Sequence, residues 1–224
     1  MSSIVCGVDE AGRGPVIGPM VIAVACIEEE NVGKLSEIGV KDSKELSRAQ
    51  RQILYEKLRR ILIFHDYVIV SPEEIDKYVR ENKLNILELE KIKELVKKVL
   101  ERFPDKRIII YVDSPDVKAE RFEKMLKNSL SSDRVEIYAR HRADATIPIV
   151  SAASIIAKYV RDREIEKLKL RYGDFGSGYP SDPRTIRFLI SYISRHGEPP
   201  PIARKTWRTC KNIIRELKKG KLFE

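Results

Sequence analysis

Residues 4–27 read IVCGVDEAGRGPVIGPMVIAVACI, and this stretch decides the fold. Ile4 to Val8 is a short apolar run that breaks off at the paired acids Asp9 and Glu10. Gly12, Gly14 and Gly18, with Pro15 and Pro19, then exclude regular helix. Met20 to Ile27 is apolar again, so the two runs are expected to be buried strands paired antiparallel. Further along, Ile108-Ile109-Ile110-Tyr111-Val112 is apolar on both pleat faces, as a central buried strand is, and it ends at Asp113. Strand-like runs at 64–70 and 135–139 alternate with helical patterns. Ser47 and Gln50 form a capping box for a helix through Leu62, and Ser71-Pro72 opens another. The clearest amphipathic helix spans 85–103, a shorter one 117–130, and a long one 147–172 stopped by Gly173. Two more helices follow, near 183–195 and 206–219. The order implies an α/β fold: a mixed five-stranded sheet flanked by helices, with a helical C-terminal extension. The expected division is a core over 1–174 and a loop-plus-helix region over 175–224.

The chain has 224 residues, enough to bury a core without disulfides or a structural metal. Lys and Arg total 43 against 34 Asp and Glu, a net charge of +9. Hydrophobic residues at 42% exclude a disordered chain, and charged residues at 34% exclude a membrane-embedded one. The basic balance fits a polyanionic partner, most simply nucleic acid, although Lys and Glu solvating long helices give the same balance. Cys6, Cys26 and Cys210 are odd in number and far apart, so neither a zinc site nor a disulfide framework is expected. No basic segment precedes Asp9, so no signal peptide is expected. The longest uncharged run, Pro15 to Ile27, is too short to span a bilayer. A cytoplasmic protein with no membrane partner is the expectation.

Four carboxylates stand where chemistry concentrates. Asp9 and Glu10 end the first strand, Asp113 ends the central one, and Asp144 lies in a polar loop before the long helix. Converging on one sheet edge, they would repel one another unless a cation neutralised them. Hard oxygen ligands select magnesium or manganese, and two such ions could activate water and stabilise the leaving oxygen in phosphodiester hydrolysis. Adjacent strand residues point to opposite faces, so Asp9 and Glu10 can share a site only if Glu10 already lies on the turn. Asp116 and Asp162 compete for the fourth position, with Asp116 expected to cap the helix that follows it.

Five segments carry a resemblance in the right order. They are Asp9-Glu10-Ala11-Gly12-Arg13-Gly14-Pro15-Val16-Ile17-Gly18-Pro19, Lys41-Asp42-Ser43-Lys44, Tyr111-Val112-Asp113-Ser114, residues 151–158 (SAASIIAK) and residues 176–183 (GSGYPSDP). Together they resemble the signature segments of ribonuclease HII, the type 2 ribonuclease H. The resemblance is strongest to archaeal members and runs from residue 4 to about Trp207. It implies a ribonuclease H-like fold and an endoribonuclease that hydrolyses the RNA strand of RNA–DNA hybrids and cuts at ribonucleotides embedded in duplex DNA, in replication and repair. The family's four catalytic, metal-binding acids map onto Asp9, Glu10, Asp113 and Asp144, with magnesium or manganese as cofactor and two ions per site.

The resemblance also assigns substrate contacts. Gly12-Arg13-Gly14 would read the 2′-hydroxyl at the RNA–DNA junction; the glycines let backbone amides approach closely and Arg13 can clamp a phosphate, though a tight turn would use the same residues. Tyr179 would pack on the neighbouring deoxyribose, and Lys44, Lys158 and Ser151 are candidate phosphate contacts. Trp207, among Arg204, Lys205 and Arg208, could stack on nucleic acid or anchor the C-terminal helix. His65, His141 and His196 are too scattered for a paired acid–base mechanism through the 2′-hydroxyl, which argues for water as nucleophile and for 3′-hydroxyl and 5′-phosphate ends. Lys221-Leu222-Phe223-Glu224 lacks a convincing clamp-binding motif, making a sliding-clamp partner doubtful, and a monomer is expected. The rival readings are another two-metal nuclease of the same superfold and a non-catalytic basic nucleic-acid binder.

Overall fold

β1 (Ile4–Ala11) and β2 (Met20–Glu28) pair antiparallel, with Val8 opposite Val24 and Asp9 opposite Ala23. β4 (Ile108–Asp113) lies parallel to β1 on its other side, and β5 (Val135–Arg140) lies parallel to β4. With β3 (Phe64–Val70) the sheet order is β3-β2-β1-β4-β5, the mixed five-stranded sheet expected. β1 has a neighbour on each side and is buried along almost its whole length, so its apolar run has no polar alternation. Parallel strands need a crossover, and α5 (Ala119–Ser129) supplies it between β4 and β5. The computed structural model describes residues 3–40, 46–130 and 132–219.

Helices cover both faces of the sheet. On one, Val5, Ala23, Ala25 and Ile27 share a core with α1 (Gly33–Glu37), α2 (Arg48–Ile61) and the first turns of α7 (Pro148–Tyr172). Gly7 permits the approach: a Cβ there would overlap the Ile149 carbonyl and lie 2.5 Å from the Val150 nitrogen. On the other face Val8 and Ile22 meet Glu88 and Ile92 of α4 (Leu84–Arg102). The caps read from the sequence are present. Ser47 and Gln50 bond reciprocally at the start of α2, and Ser71 caps α3 (Pro72–Arg80). Gly173, at φ +80°, ends α7.

The chain divides into two compact units. One comprises residues 1–11, 21–69 and 85–160; the other comprises 12–20, 70–84 and 161–224. This division does not fall at the boundary expected after residue 174. The second unit holds α3, α8 (Pro183–His196) and α9 (Arg208–Lys218), around a core that includes Ile17, Phe175, Leu189 and Ile213. Ile17 forms an antiparallel bridge with Ala203, and Asp76 of α3 accepts hydrogen bonds from the amides of Lys205 (2.7 Å) and Thr206 (3.0 Å).

The cysteine expectation needs correction. Cys6 and Cys26 are directly opposed in the β1–β2 register, with Cα atoms 4.1 Å apart, and form a disulfide. Spacing along the chain hides the pairing, because only strand register brings residues 20 positions apart face to face. Cys210 is buried and free, and burial pushes its thiol up to about 12. Among the described residues no helix is long and apolar enough to cross a membrane.

Candidate active site

Asp9, Asp113 and Asp144 each present a carboxylate oxygen, and the three oxygens lie within 4.8 Å of one another. Asp9 comes from β1 and Asp113 from the last residue of its parallel neighbour β4, so strand pairing alone brings two acids to one end of the sheet. Asp144 comes from α6 (Ala143–Thr146), a single helical turn and not the open loop expected. Arg142 precedes that turn in the left-handed conformation, φ +55°, and the Ala143 amide donates to Asp113 Oδ1 at 3.1 Å. The chain is thus folded back so that the backbone carrying Asp144 is tied to Asp113. Asp9 and Asp144 are buried and Asp113 is half-buried. Burial, then the Glu10 carboxylate and then Asp113 push the Asp9 carboxyl well above the usual range; the Ser154 hydroxyl and the Glu10 amide pull the other way. Three crowded hard oxygens of this kind fit a divalent cation, which relieves their repulsion.

Glu10 stands differently from expectation. β1 does not end at Asp9 but continues through Glu10, opposite Ile22, to Ala11. Neighbouring side chains on one strand point to opposite faces, and Glu10 is not among the three acids brought together, although its charge acts on Asp9. Asp116 is committed elsewhere: it accepts from the Lys118 amide at 2.9 Å, from Asn85 at 3.2 Å and from Arg121.

Ser151 is 1% exposed on α7, and its hydroxyl donates to the carbonyl of Asp144. Facing inward, it holds the Asp144 backbone. Lys158 is half-buried and follows Ser154 by one helical turn, on the side of α7 that meets Asp9. Lys44 lies outside the described residues, as do the rest of 41–45 and the C-terminal 220–224.

In the second unit, Gly12 to Gly18 forms a turn built on a buried arginine. Arg204 is fully buried and donates to three backbone carbonyls: Arg13 at 2.7 Å, Gly18 at 3.1 and 3.2 Å, and Gly12. Burial and the neighbouring Arg161 bring its guanidinium down to about 9, still charged at neutral pH. Trp207 donates from Nε1 to the Gly14 carbonyl at 3.1 Å, and its ring sits 4.8 Å from the Arg204 guanidinium. Trp207, the residue that precedes α9, thus ties the start of that helix to the turn. Gly12 has φ +87°, and a Cβ there would strike the Arg161 side chain and lie 2.7 Å from the Pro19 carbonyl oxygen. Tyr179 is 42% exposed, with the Arg161 guanidinium 5.7 Å from its ring centre. A side chain at Gly14 would touch that ring, at 3.8 Å. Sequence reasoning missed Arg204 and Arg161. Arg204 stands beside Lys205, and Arg161 in a stretch of alternating charge, and nothing in either marks the buried member.

Comparison with known proteins agrees with this geometry. The family model for ribonuclease HII matches residues 6–210. Ribonuclease HII of Pyrococcus abyssi is 50% identical over 218 residues, 97% of this chain and 94% of that protein. The crystal structure of ribonuclease H2 from Pyrococcus horikoshii superposes with a TM-score of 0.83 at 50% identity, covering 96% of this chain and 99% of that one. The PCNA–RNase HII complex from Archaeoglobus fulgidus gives a TM-score of 0.79 at 40% identity, covering 93% and 96%. That complex removes the support for doubting a sliding-clamp partner, a doubt that rested on four terminal residues. With this match over nearly its whole length, the chain belongs to the ribonuclease HII family and is a metal-dependent endoribonuclease with ribonuclease H activity on RNA–DNA hybrids.

Proposed function

We propose that the enzyme also cuts duplex DNA at single embedded ribonucleotides, with water as nucleophile, leaving 3′-hydroxyl and 5′-phosphate ends. The observation that carries the reading is the convergence of Asp9, Asp113 and Asp144 at one end of the sheet. These three, with Glu10 as the flanking fourth acid, would hold two magnesium or manganese ions. Such ions, when bound, supply Lewis-acid activation of water and charge stabilisation at the leaving oxygen. The chain's own part is to fix the ligands. The Ala143 amide orients Asp113, Ser151 fixes the backbone of Asp144, and burial around Asp9 keeps the carboxylates from being solvated apart.

Ribose reading falls to Gly12-Arg13-Gly14 and Tyr179, with Lys158 and Lys44 on phosphates. The turn presents backbone amides without a Cβ in the way, and Tyr179 offers an exposed ring and a hydroxyl that can pair with a 2′-hydroxyl. A monomer in the cytoplasm, acting in replication and repair, fits this reading, and by its likeness to the Archaeoglobus complex a sliding clamp is a candidate partner. The test is end mapping on a duplex with one ribonucleotide. One cut on the 5′ side of the ribonucleotide or at its junction, with a 3′-hydroxyl upstream, supports the reading. A 2′,3′-cyclic phosphate overturns the water mechanism.

A further inference from the structure

The contact pattern of the segment that carries Arg204 and Trp207 bears on how ribose is read. Gly12, Arg13 and Gly14 are three consecutive residues, and all three carbonyls accept from this one segment: the first two from Arg204, the third from Trp207 Nε1. In a trans peptide the carbonyl and the following N–H point in opposite directions; the described chain contains no cis bond. Fixing the Gly12 and Arg13 carbonyls toward Arg204 therefore turns the amides of Arg13 and Gly14 away from it, side by side. Consecutive amides aimed one way form a concavity that suits an anionic or lone-pair oxygen. The Gly14 and Gly18 carbonyls precede Pro15 and Pro19, so their peptide units carry no N–H, and acceptors are all they can offer. The segment is itself fixed. The Arg204 amide donates to Val16 at 2.8 Å, Gly18 donates to Ile202 at 2.8 Å, and Asp76 takes the Lys205 and Thr206 amides.

We infer that Arg204 and Trp207 are positioning residues for ribose recognition: by gathering the three carbonyls of Gly12–Gly14 on one side, they aim the Arg13 and Gly14 amides at the 2′-hydroxyl oxygen of the substrate's ribose. The inference rests on the ribose reading proposed above for the same turn. Arg204 is fully buried and Trp207 spends its one donor on the Gly14 carbonyl, so the role assigned to both is exerted through backbone. Lysine cannot replace Arg204, since one ammonium cannot span carbonyls that the planar guanidinium reaches from three nitrogens. Trp207→Phe keeps a ring beside the guanidinium and removes only the donor to Gly14.

The experiment measures binding, in EDTA so that nothing is cut, of two duplexes that differ in one 2′-hydroxyl. The parent is expected to prefer the ribonucleotide duplex over the all-DNA one. That preference should fall about tenfold in Arg204→Lys and about threefold in Trp207→Phe, while all-DNA affinity changes by less than about twofold. A merely structural loss lowers both affinities together and would overturn the assignment, as would a preference that survives in both variants. A parent with no preference would overturn the ribose reading itself and the assignment with it. Amide spectra of the parent cover the case of variants that fail to fold. The Arg13 and Gly14 resonances should shift with the ribonucleotide duplex and not with the all-DNA one; equal or absent shifts overturn the inference.

Discussion

The backbone amide of Ala143 donates a 3.1 Å hydrogen bond to Asp113 Oδ1, joining the end of a sheet strand to the helical turn that carries Asp144. That bond and the one from the Ser151 hydroxyl to the Asp144 carbonyl fix the third acid from both sides. With both, three carboxylates from β1, β4 and α6 form one group, although they lie far apart in the chain.

Tyr179→Ala should weaken cutting at a single ribonucleotide by roughly ten- to a hundredfold, from the loss of sugar packing and one hydrogen bond, about 1–3 kcal/mol. Its ring is 42% exposed, so melting temperature should hardly move. The check is the cleavage ratio between a one-ribonucleotide duplex and a long hybrid, read beside the melting curve. An unchanged ratio with a sharp drop in melting temperature would make the residue structural.

Asp182→Ala should loosen the loop that carries Tyr179. Asp182 accepts from the Ser177 amide at 2.7 Å and from the Arg184 amide at 2.9 Å, capping α8 and closing the loop at once. These bonds hold its carboxyl at about 2. A depressed folded value means the carboxylate stabilises the fold above the ordinary Asp range, and that the stabilisation is lost as pH falls from about 4 through about 2. Acid titrations should therefore show a shallower fall in stability between these limits for the alanine variant than for the parent. Identical acid limbs would contradict the cap.

What the sequence reveals about this fold depends on how local the signal is. The apolar runs at 4–8 and 108–112, the caps at Ser47 and Ser71, and the stop at Gly173 are set by neighbours in the chain and are all where expected. Asp9 and Asp113 are legible as acids closing apolar runs and Asp144 as an acid just before a long helix, and the structure brings these three together. The strand's continuation past Glu10 was not legible, because it depends on pairing with Val21 and Ile22 across the sheet. Ser151 looked available only because a serine in an apolar helix gives no sign of which carbonyl it faces. Arg204 is the extreme case: a buried guanidinium in a basic stretch has the same letter as its solvated neighbours.

The cysteines offer a separate check on strand register. Non-reducing thiol titration should find no reactive thiol in the native protein and one, Cys210, after unfolding. Closing a loop of 20 residues is worth about 3 kcal/mol in the chain-entropy model, so reductant should lower the melting temperature by several degrees. In Cys26→Ala, reductant should have no further effect. Three titratable thiols in the unfolded protein would show that Cys6 and Cys26 are unpaired.

The most direct test of the acid cluster is the rate of cutting a duplex with one embedded ribonucleotide, measured for the parent and Asp113→Asn with magnesium, manganese or EDTA. The parent should cut only with a divalent ion present. Asp113→Asn should bind the duplex as well as the parent or better, since it sheds charge that repels phosphate, yet cut at least about a hundredfold more slowly. Parental cutting by Asp113→Asn at saturating magnesium, or full cutting by the parent in EDTA, would contradict a metal centre built on Asp9, Asp113 and Asp144.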